Sequence, residues 1–105
     1  MRTFSLSGAR QFSDTGLKKT LVHDSYNFRL INFNLKAGQE LPVHSHDLDG
    51  ELSILVLEGE GEFLDGGPDT VPARPGDVLL AQVREPHGVR ATTDMRILVT
   101  IAPPV

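Results

Sequence analysis

Two histidines separated by one residue, His44 and His46, are the side chains of this sequence best suited to chemistry. On a β-strand, residues two apart point to the same face, so both imidazoles would share one face. Neutral imidazole is the commonest protein ligand of divalent metals. A third histidine, His87, lies about forty residues further on, and only a fold can bring it back. The pattern leaves two alternatives, a metal site or polar residues at a strand end.

The composition excludes several other classes of function. The chain has 105 residues, 39% of them hydrophobic, and a net charge of −4. This size predicts one domain, residues 1–105, and the charge argues against nucleic acid or an anionic membrane surface as partner. With no cysteine, disulfides and cysteine zinc sites are excluded. The N-terminus does not resemble a signal peptide and no apolar run is long enough to span a membrane, so we expect a cytoplasmic protein.

Glycine and proline divide the chain into short segments, several of which alternate between polar and apolar residues with period two. This pattern predicts an all-β sandwich or barrel of short antiparallel strands. The predicted strands cover residues 17–23, 28–36, 41–46, 51–57, 62–64, 70–72, 78–83, 87–91 and 95–101.

The same alternation predicts which side chains face the core. In the second strand one face is mostly polar, with Asn32 and Asn34, so only the other face should be buried. In the third strand, His44 and His46 should face away from Leu41. The predicted core residues are Phe33, Leu55, Leu57, Val78, Leu80, Val89, Ile97 and Val99.

The order of motifs resembles that of a cupin. Gly38 is followed after five residues by His44-Ser45-His46, and after four more by Glu51. The segment 56–61, Val-Leu-Glu-Gly-Glu-Gly, is typical of the end of the first cupin motif, and segments 74–80 and 86–90 are similar to the second. The resemblance implies a single-domain cupin-type jelly-roll β-barrel, with its core at residues 28–101 and N-terminal strands at 1–27. It also implies a homodimer.

The resemblance further implies a metal site formed by His44, His46, His87 and Glu51. Seven residues separate Glu51 from Gly59, where the family usually has six, so the ligand position counted back from Gly59 falls on Leu52. In a strand of period two, Glu51 would face inward only if a β-bulge absorbed the extra residue. Otherwise the site is three histidines, completed by Asp47, Asp49 or water.

Such a ligand set suits one divalent transition metal, Fe, Mn, Ni, Cu or Zn, and does not choose among them. The first hypothesis is therefore a metalloenzyme, dioxygenase- or isomerase-like, acting on a small molecule in the barrel mouth. The alternative is a non-catalytic barrel that binds or senses a small ligand, with or without metal. A third is a metal-free remnant in which the histidines fill the cavity by hydrogen bonding. The sequence identifies no acid–base residue that would settle whether the protein is an enzyme.

Overall fold

The computed structural model of the chain describes residues 1–104 and contains nine β-strands and one turn of 3-10 helix, Ser7–Ala9. The strands lie close to their predicted positions, within one or two residues at most ends. Within residues 1–104 no helix is long and apolar enough to cross a membrane. The strands are β1 (Lys18–Asp24), β2 (Arg29–Leu35), β3 (Glu40–His44), β4 (Glu51–Glu58), β5 (Gly61–Leu64), β6 (Thr70–Ala73), β7 (Val78–Gln82), β8 (His87–Ala91) and β9 (Met95–Ala102).

The strands form two antiparallel sheets. One has five strands in the order β1-β2-β9-β4-β7, and the other has four in the order β3-β8-β5-β6. The prediction of an all-β fold of short antiparallel strands is confirmed. The two sheets do not close into one barrel, because each ends in edge strands, β1 and β7 in the first and β3 and β6 in the second. The jelly-roll β-barrel implied by the resemblance is therefore formed by two sheets that are not closed on each other.

A single apolar core lies between the two sheets. Its most buried side chains come from both, with Ile54, Met95 and Ile97 from the larger sheet and Val89 from the smaller one. Because each strand alternates, every second side chain enters this core and the rest face outward. His44 and His87 lie on the paired strands β3 and β8 of the smaller sheet.

Half of the predicted core residues are buried: Phe33, Val89, Ile97 and Val99. The prediction is wrong for Val78 and Leu80, which are 51% and 76% exposed. Strand β7 has apolar residues on both faces, so alternation could not show that Leu79 and Ala81, and not Val78 and Leu80, pack on the core. For the same reason β4 buries Leu52, Ile54 and Val56, while Leu55 and Leu57 are only half-buried.

The second face of β2 is also buried, contrary to the prediction. Asn32 and Asn34 are covered by the N-terminal segment and by Arg96, which is 4% exposed. The Arg96 guanidinium donates to the side-chain oxygens of both asparagines and to the carbonyl of Leu6. Its remaining partner is the carboxylate of Glu58, at 3.2 Å. The N-terminal segment therefore forms a polar layer over the outer face of the larger sheet.

Candidate metal centre

An irregularity in β3 puts His44 on the core side of its sheet. Leu41 pairs with Val89, and His44 pairs with His87. Between these two pairs β3 advances by three residues, whereas β8 advances by two. This is the signature of a β-bulge, in which one extra residue reverses the parity of those that follow. His44 therefore lies on the same face as Leu41, and the prediction that they face opposite sides is wrong.

Gly88 packs directly against this bulge. A Cβ at this position would lie 2.8 Å from the carbonyl oxygen of Leu41, 2.8 Å from the amide nitrogen of Val43 and 3.0 Å from its Cα. Glycine inside a strand often marks such a close backbone approach. Gly88 thus makes room for the β3 backbone that carries His44.

The structure brings the three predicted histidines together. The ring centroids of His44 and His87 lie 4.4 Å apart, and those of His44 and His46 lie 5.8 Å apart. His87 is 5% exposed and shares its face of β8 with the core residues Val89 and Ala91, whereas the other two histidines are exposed. The cluster therefore has a buried floor, His87, and an open side facing solvent.

Hydrogen bonds to backbone carbonyls fix the tautomers of two of these rings. His44 Nδ1 lies 2.7 Å from the carbonyl oxygen of Pro42, and His87 Nδ1 lies 2.7 Å from that of Glu85. A carbonyl oxygen only accepts, so each Nδ1 must carry the proton and donate it. In a neutral imidazole the other nitrogen, Nε2, then keeps its lone pair. This is the arrangement by which metal-binding histidines are commonly oriented.

The environment of His87 also favours the neutral ring. Burial lowers its pKa below the ordinary value of 6.5, and the neighbouring His44 and His46 lower it further. The hydrogen bond to the Glu85 carbonyl opposes this shift, since it favours the protonated ring. A neutral His87 at physiological pH has a lone pair available for a ligand.

His46 lies just beyond the end of β3, in a loop that is tied to Val83. The amide of His46 donates to the Val83 carbonyl at 3.1 Å, and the Val83 amide donates to the Gly50 carbonyl at 2.9 Å. Because Val83 is buried, these bonds anchor both ends of the loop to the core. The backbone of His46 is thus held next to His44, while its ring remains exposed.

Glu51 lies apart from this cluster. It begins β4, is exposed, and pairs with Gln82 of β7 and Ala102 of β9. The next residue, Leu52, is buried, so alternation sends the Glu51 side chain to the opposite, outer face. There it borders an open hollow together with Asp49 and Arg84, which form a salt bridge of 2.7 Å.

A bulge does occur in β4, but it does not turn Glu51 inward. The register with β9 shifts between Val56 and Glu58, and the alternation of buried residues runs unbroken from Leu52 to Val56. The extra residue is therefore absorbed near the Gly59 end. A ligand role for Glu51 stays a prediction, and it would require the start of β4 to move.

The residues present fit a transition metal in donor type and in tautomer. Their spacing does not yet fit a metal, because within residues 1–104 no three His, Asp or Glu side chains are arranged so that they could hold a metal ion. The ring of His46 is exposed and can turn about its side-chain bonds, whereas the Nδ1 bonds hold the rings of His44 and His87. Metal binding would therefore need the ring of His46 to turn toward the other two.

Two contributors to this cluster were not predicted as site residues. Gly88 lies in segment 86–90, which is similar to the second cupin motif, and a glycine inside a strand is a signal of close backbone approach. Val83 gave no signal, because its role comes from backbone hydrogen bonds and not from its side chain. The bulge itself was indicated only by Pro42, which cannot donate to a strand ladder.

Comparison with known proteins agrees with this architecture. The family model of the cupin domain matches residues 32–101. Across 100% of the chain, the structure is similar to an RmlC-like cupin protein from Desulfovibrio desulfuricans, with 55% sequence identity, 99% of that chain covered and a TM-score of 0.96.

Two matches are to ectoine synthases. The enzyme of Saccharopolyspora erythraea is 39% identical over 54 residues, which cover 50% of this chain and 40% of that protein. The ectoine synthase structure from P. lautus is 23% identical, with 100% of this chain and 80% of that one covered and a TM-score of 0.77. The first match spans less than half of the enzyme, and the second concerns the fold alone.

The family match covers most of the chain. The protein therefore belongs to the cupin family, and the predicted cupin fold is confirmed, with two sheets in place of a closed barrel.

Proposed function

We propose that this cupin binds one divalent transition metal through His44, His46 and His87 and acts on a small molecule at the open side of that cluster. The observation that carries the proposal is the pair of Nδ1–carbonyl hydrogen bonds at His44 and His87, because they leave Nε2 of both rings available as ligands. Cluster formation also depends on the β3 bulge, because the bulge places His44 opposite His87.

Each histidine has a distinct part in this proposal. His87 is the buried, neutral donor that fixes the position of the metal, and His44 faces it across the strand pair. His46 is the exposed donor that completes the set when its ring turns inward. A metal bound there, Fe, Mn, Ni, Cu or Zn, would polarise an oxygen atom of a small substrate or bind O₂ at its open positions.

The alternative function is a barrel that binds or senses a small ligand without turnover. It is favoured by the spacing of the cluster, since no three metal-binding side chains of residues 1–104 stand ready for a metal. In that case the histidines would bond the ligand directly through their free nitrogens. The two functions differ in whether metal is retained and whether a bound small molecule is converted.

The homodimer and the cytoplasmic location remain predictions. Strand β1 is an edge of the larger sheet and has an exposed apolar side chain, Leu21, which supports pairing with a second copy. Its lysines, Lys18 and Lys19, oppose such pairing by like-charge repulsion. Light scattering coupled to size-exclusion chromatography would distinguish a dimer from a monomer.

Metal content tests the main proposal. Untagged protein should contain about one equivalent of a single transition metal by elemental mass spectrometry, and the double variant His44→Ala/His46→Ala should lose it. His23→Ala is the matched control, because His23 packs against Phe28 on the other sheet and lies outside the cluster. Wild-type protein that takes up no Fe(II), Mn(II), Ni(II), Cu(II) or Zn(II) on reconstitution would overturn the metal site and leave the ligand-binding alternative.

A further inference from the structure

A small cavity of about 150 Å³ lies beside His87, where β7 at the edge of the larger sheet approaches the smaller sheet. Phe63 and Val71 line it from the smaller sheet, and Leu79 and Ala81 line it from β7. An apolar cavity of such a size holds a molecule about as large as benzene. The space therefore suits an apolar group of roughly six heavy atoms.

The cavity also has a polar wall. His87 is more than nine-tenths buried, and its Nδ1 is engaged by the Glu85 carbonyl. Its Nε2 makes no hydrogen bond within residues 1–104. Every fully buried polar side-chain atom of those residues has a hydrogen-bond partner, so Nε2 is not fully buried. Nε2 is therefore accessible, and His87 is one of the residues that line the cavity.

The charged side chains that border the cavity are all acidic. They are Asp65, Asp69 and Glu85, and no lysine or arginine within residues 1–104 lines it. The guanidinium of Arg84, adjacent to Glu85 in the sequence, is already paired with Asp49 at 2.7 Å. A positively charged group at the rim would be attracted, and a carboxylate would be repelled.

We propose that this cavity binds a small primary amine, with its apolar group beside Phe63 and Leu79 and its ammonium group at the rim carboxylates Asp65 and Asp69. The inference rests on the proposed function, because it names the class of small molecule that this site would take. Binding of the amine itself depends on the cavity and the rim charges, not on a bound metal.

Three probes with the same ring and different charges test it: benzylamine, benzyl alcohol and benzoate. Calorimetric titration of EDTA-treated protein should give the tightest binding for benzylamine and the weakest for benzoate. We expect a preference for the amine over the alcohol of about two- to fivefold for each carboxylate that pairs with it. The preference should shrink at high salt, because the rim is exposed.

Two variants separate the contributions of charge and shape. Asp65→Asn/Asp69→Asn changes only exposed side chains and should bring benzylamine down to the affinity of benzyl alcohol, whose own affinity should not change. Ala81→Leu should fill the cavity and abolish binding of both probes, with folding checked by circular dichroism. Benzoate bound as tightly as benzylamine, an unchanged amine preference in the double variant, or no binding of any probe would overturn the proposal.

These titrations and the elemental metal analysis together distinguish this inference from the proposed function. Protein that takes up one metal and yet binds no probe would retain the metal site and lose the amine cavity. Protein that binds benzylamine with the expected charge preference and takes up no metal would retain the cavity and lose the metalloenzyme.

Discussion

His44 and His87 stand directly opposite each other across the β3–β8 strand pair, with ring centroids 4.4 Å apart, because β3 contains one extra residue between Leu41 and His44. Without that bulge, His44 would point to the outer face of its sheet. The candidate centre of this protein thus depends on a backbone irregularity as much as on the identity of its histidines.

Gly88→Ala tests the role of the bulge. The added methyl group would overlap the backbone of Leu41 and Val43, which cannot move as a side chain does. We expect the free energy of unfolding to fall by about 1–3 kcal/mol and metal retention to fall with it, because His44 would be displaced from His87. Urea unfolding and elemental analysis measure the two effects.

Gly8→Ala is the control for that substitution. Its Cβ would meet only Ser5 atoms, at 3.9 Å, and it should leave both quantities nearly unchanged. Full metal retention in folded Gly88→Ala protein would show that the position of His44 does not depend on the bulge contact.

The buried position of His87 predicts a pH dependence of stability in the metal-free protein. Its pKa in the folded state lies below the ordinary 6.5, chiefly because of burial, so the unfolded chain binds the proton more tightly. Stability should therefore decrease as pH falls through 6.5 toward the folded-state pKa. Urea unfolding of metal-free protein at about pH 8 and about pH 5.5 measures this loss.

His87→Gln should reduce that loss, whereas His23→Gln, at a half-buried histidine outside the cluster, should not. The same decrease in stability in wild type and His87→Gln would assign the pH dependence to other groups.

Arg96 anchors the N-terminal segment, and its loss should be costly. Arg96→Met would leave the buried amide oxygen of Asn32 without its Arg96 donor. The oxygen of Asn34 would keep only the Asn32 amide as donor, and the carbonyl of Leu6 only the Ala9 amide. We expect a loss of about 2–3 kcal/mol in the free energy of unfolding, measured by urea titration.

The control for Arg96 is Arg90→Met, which removes salt bridges with Glu40 and Glu62 between partly exposed side chains and should cost about 0–1 kcal/mol. Equal losses for the two variants would contradict the assignment of Arg96 as the buried anchor.

The strands of the two sheets were predictable because period-two alternation and the glycine and proline turns mark them locally. Which face of β4 and β7 is buried could not be predicted, because both faces of each strand carry apolar residues. The burial of Asn32 and Asn34 was also hidden, because the segment that covers them is distant in the sequence. In the same way, residue type was enough to find the three histidines, His44, His46 and His87. The β3 bulge and the outward direction of Glu51 could not be predicted, because they depend on the register of paired strands.

Paired substitutions test the corrected parity of these two strands. Ile54→Ala removes a fully buried side chain of β4 and should cost about 2–5 kcal/mol. Leu80→Ala removes an exposed side chain of β7 and should change stability by less than about 0.5 kcal/mol. Thermal unfolding of both variants measures the difference, and a large loss for Leu80→Ala would indicate that a second copy or another surface covers that face.

The most direct test of the proposed centre is zinc titration of metal-free protein with ¹⁵N-labelled histidine, followed by NMR of the ring nitrogens. We predict that the Nε2 signals of His44 and His87 shift with about one equivalent of zinc, while Nδ1 of each ring remains protonated because it donates to a backbone carbonyl. His23 should not shift. Coordination through Nδ1, or no shift of His87 at saturating zinc, would show that backbone hydrogen bonds do not preset these rings for a metal.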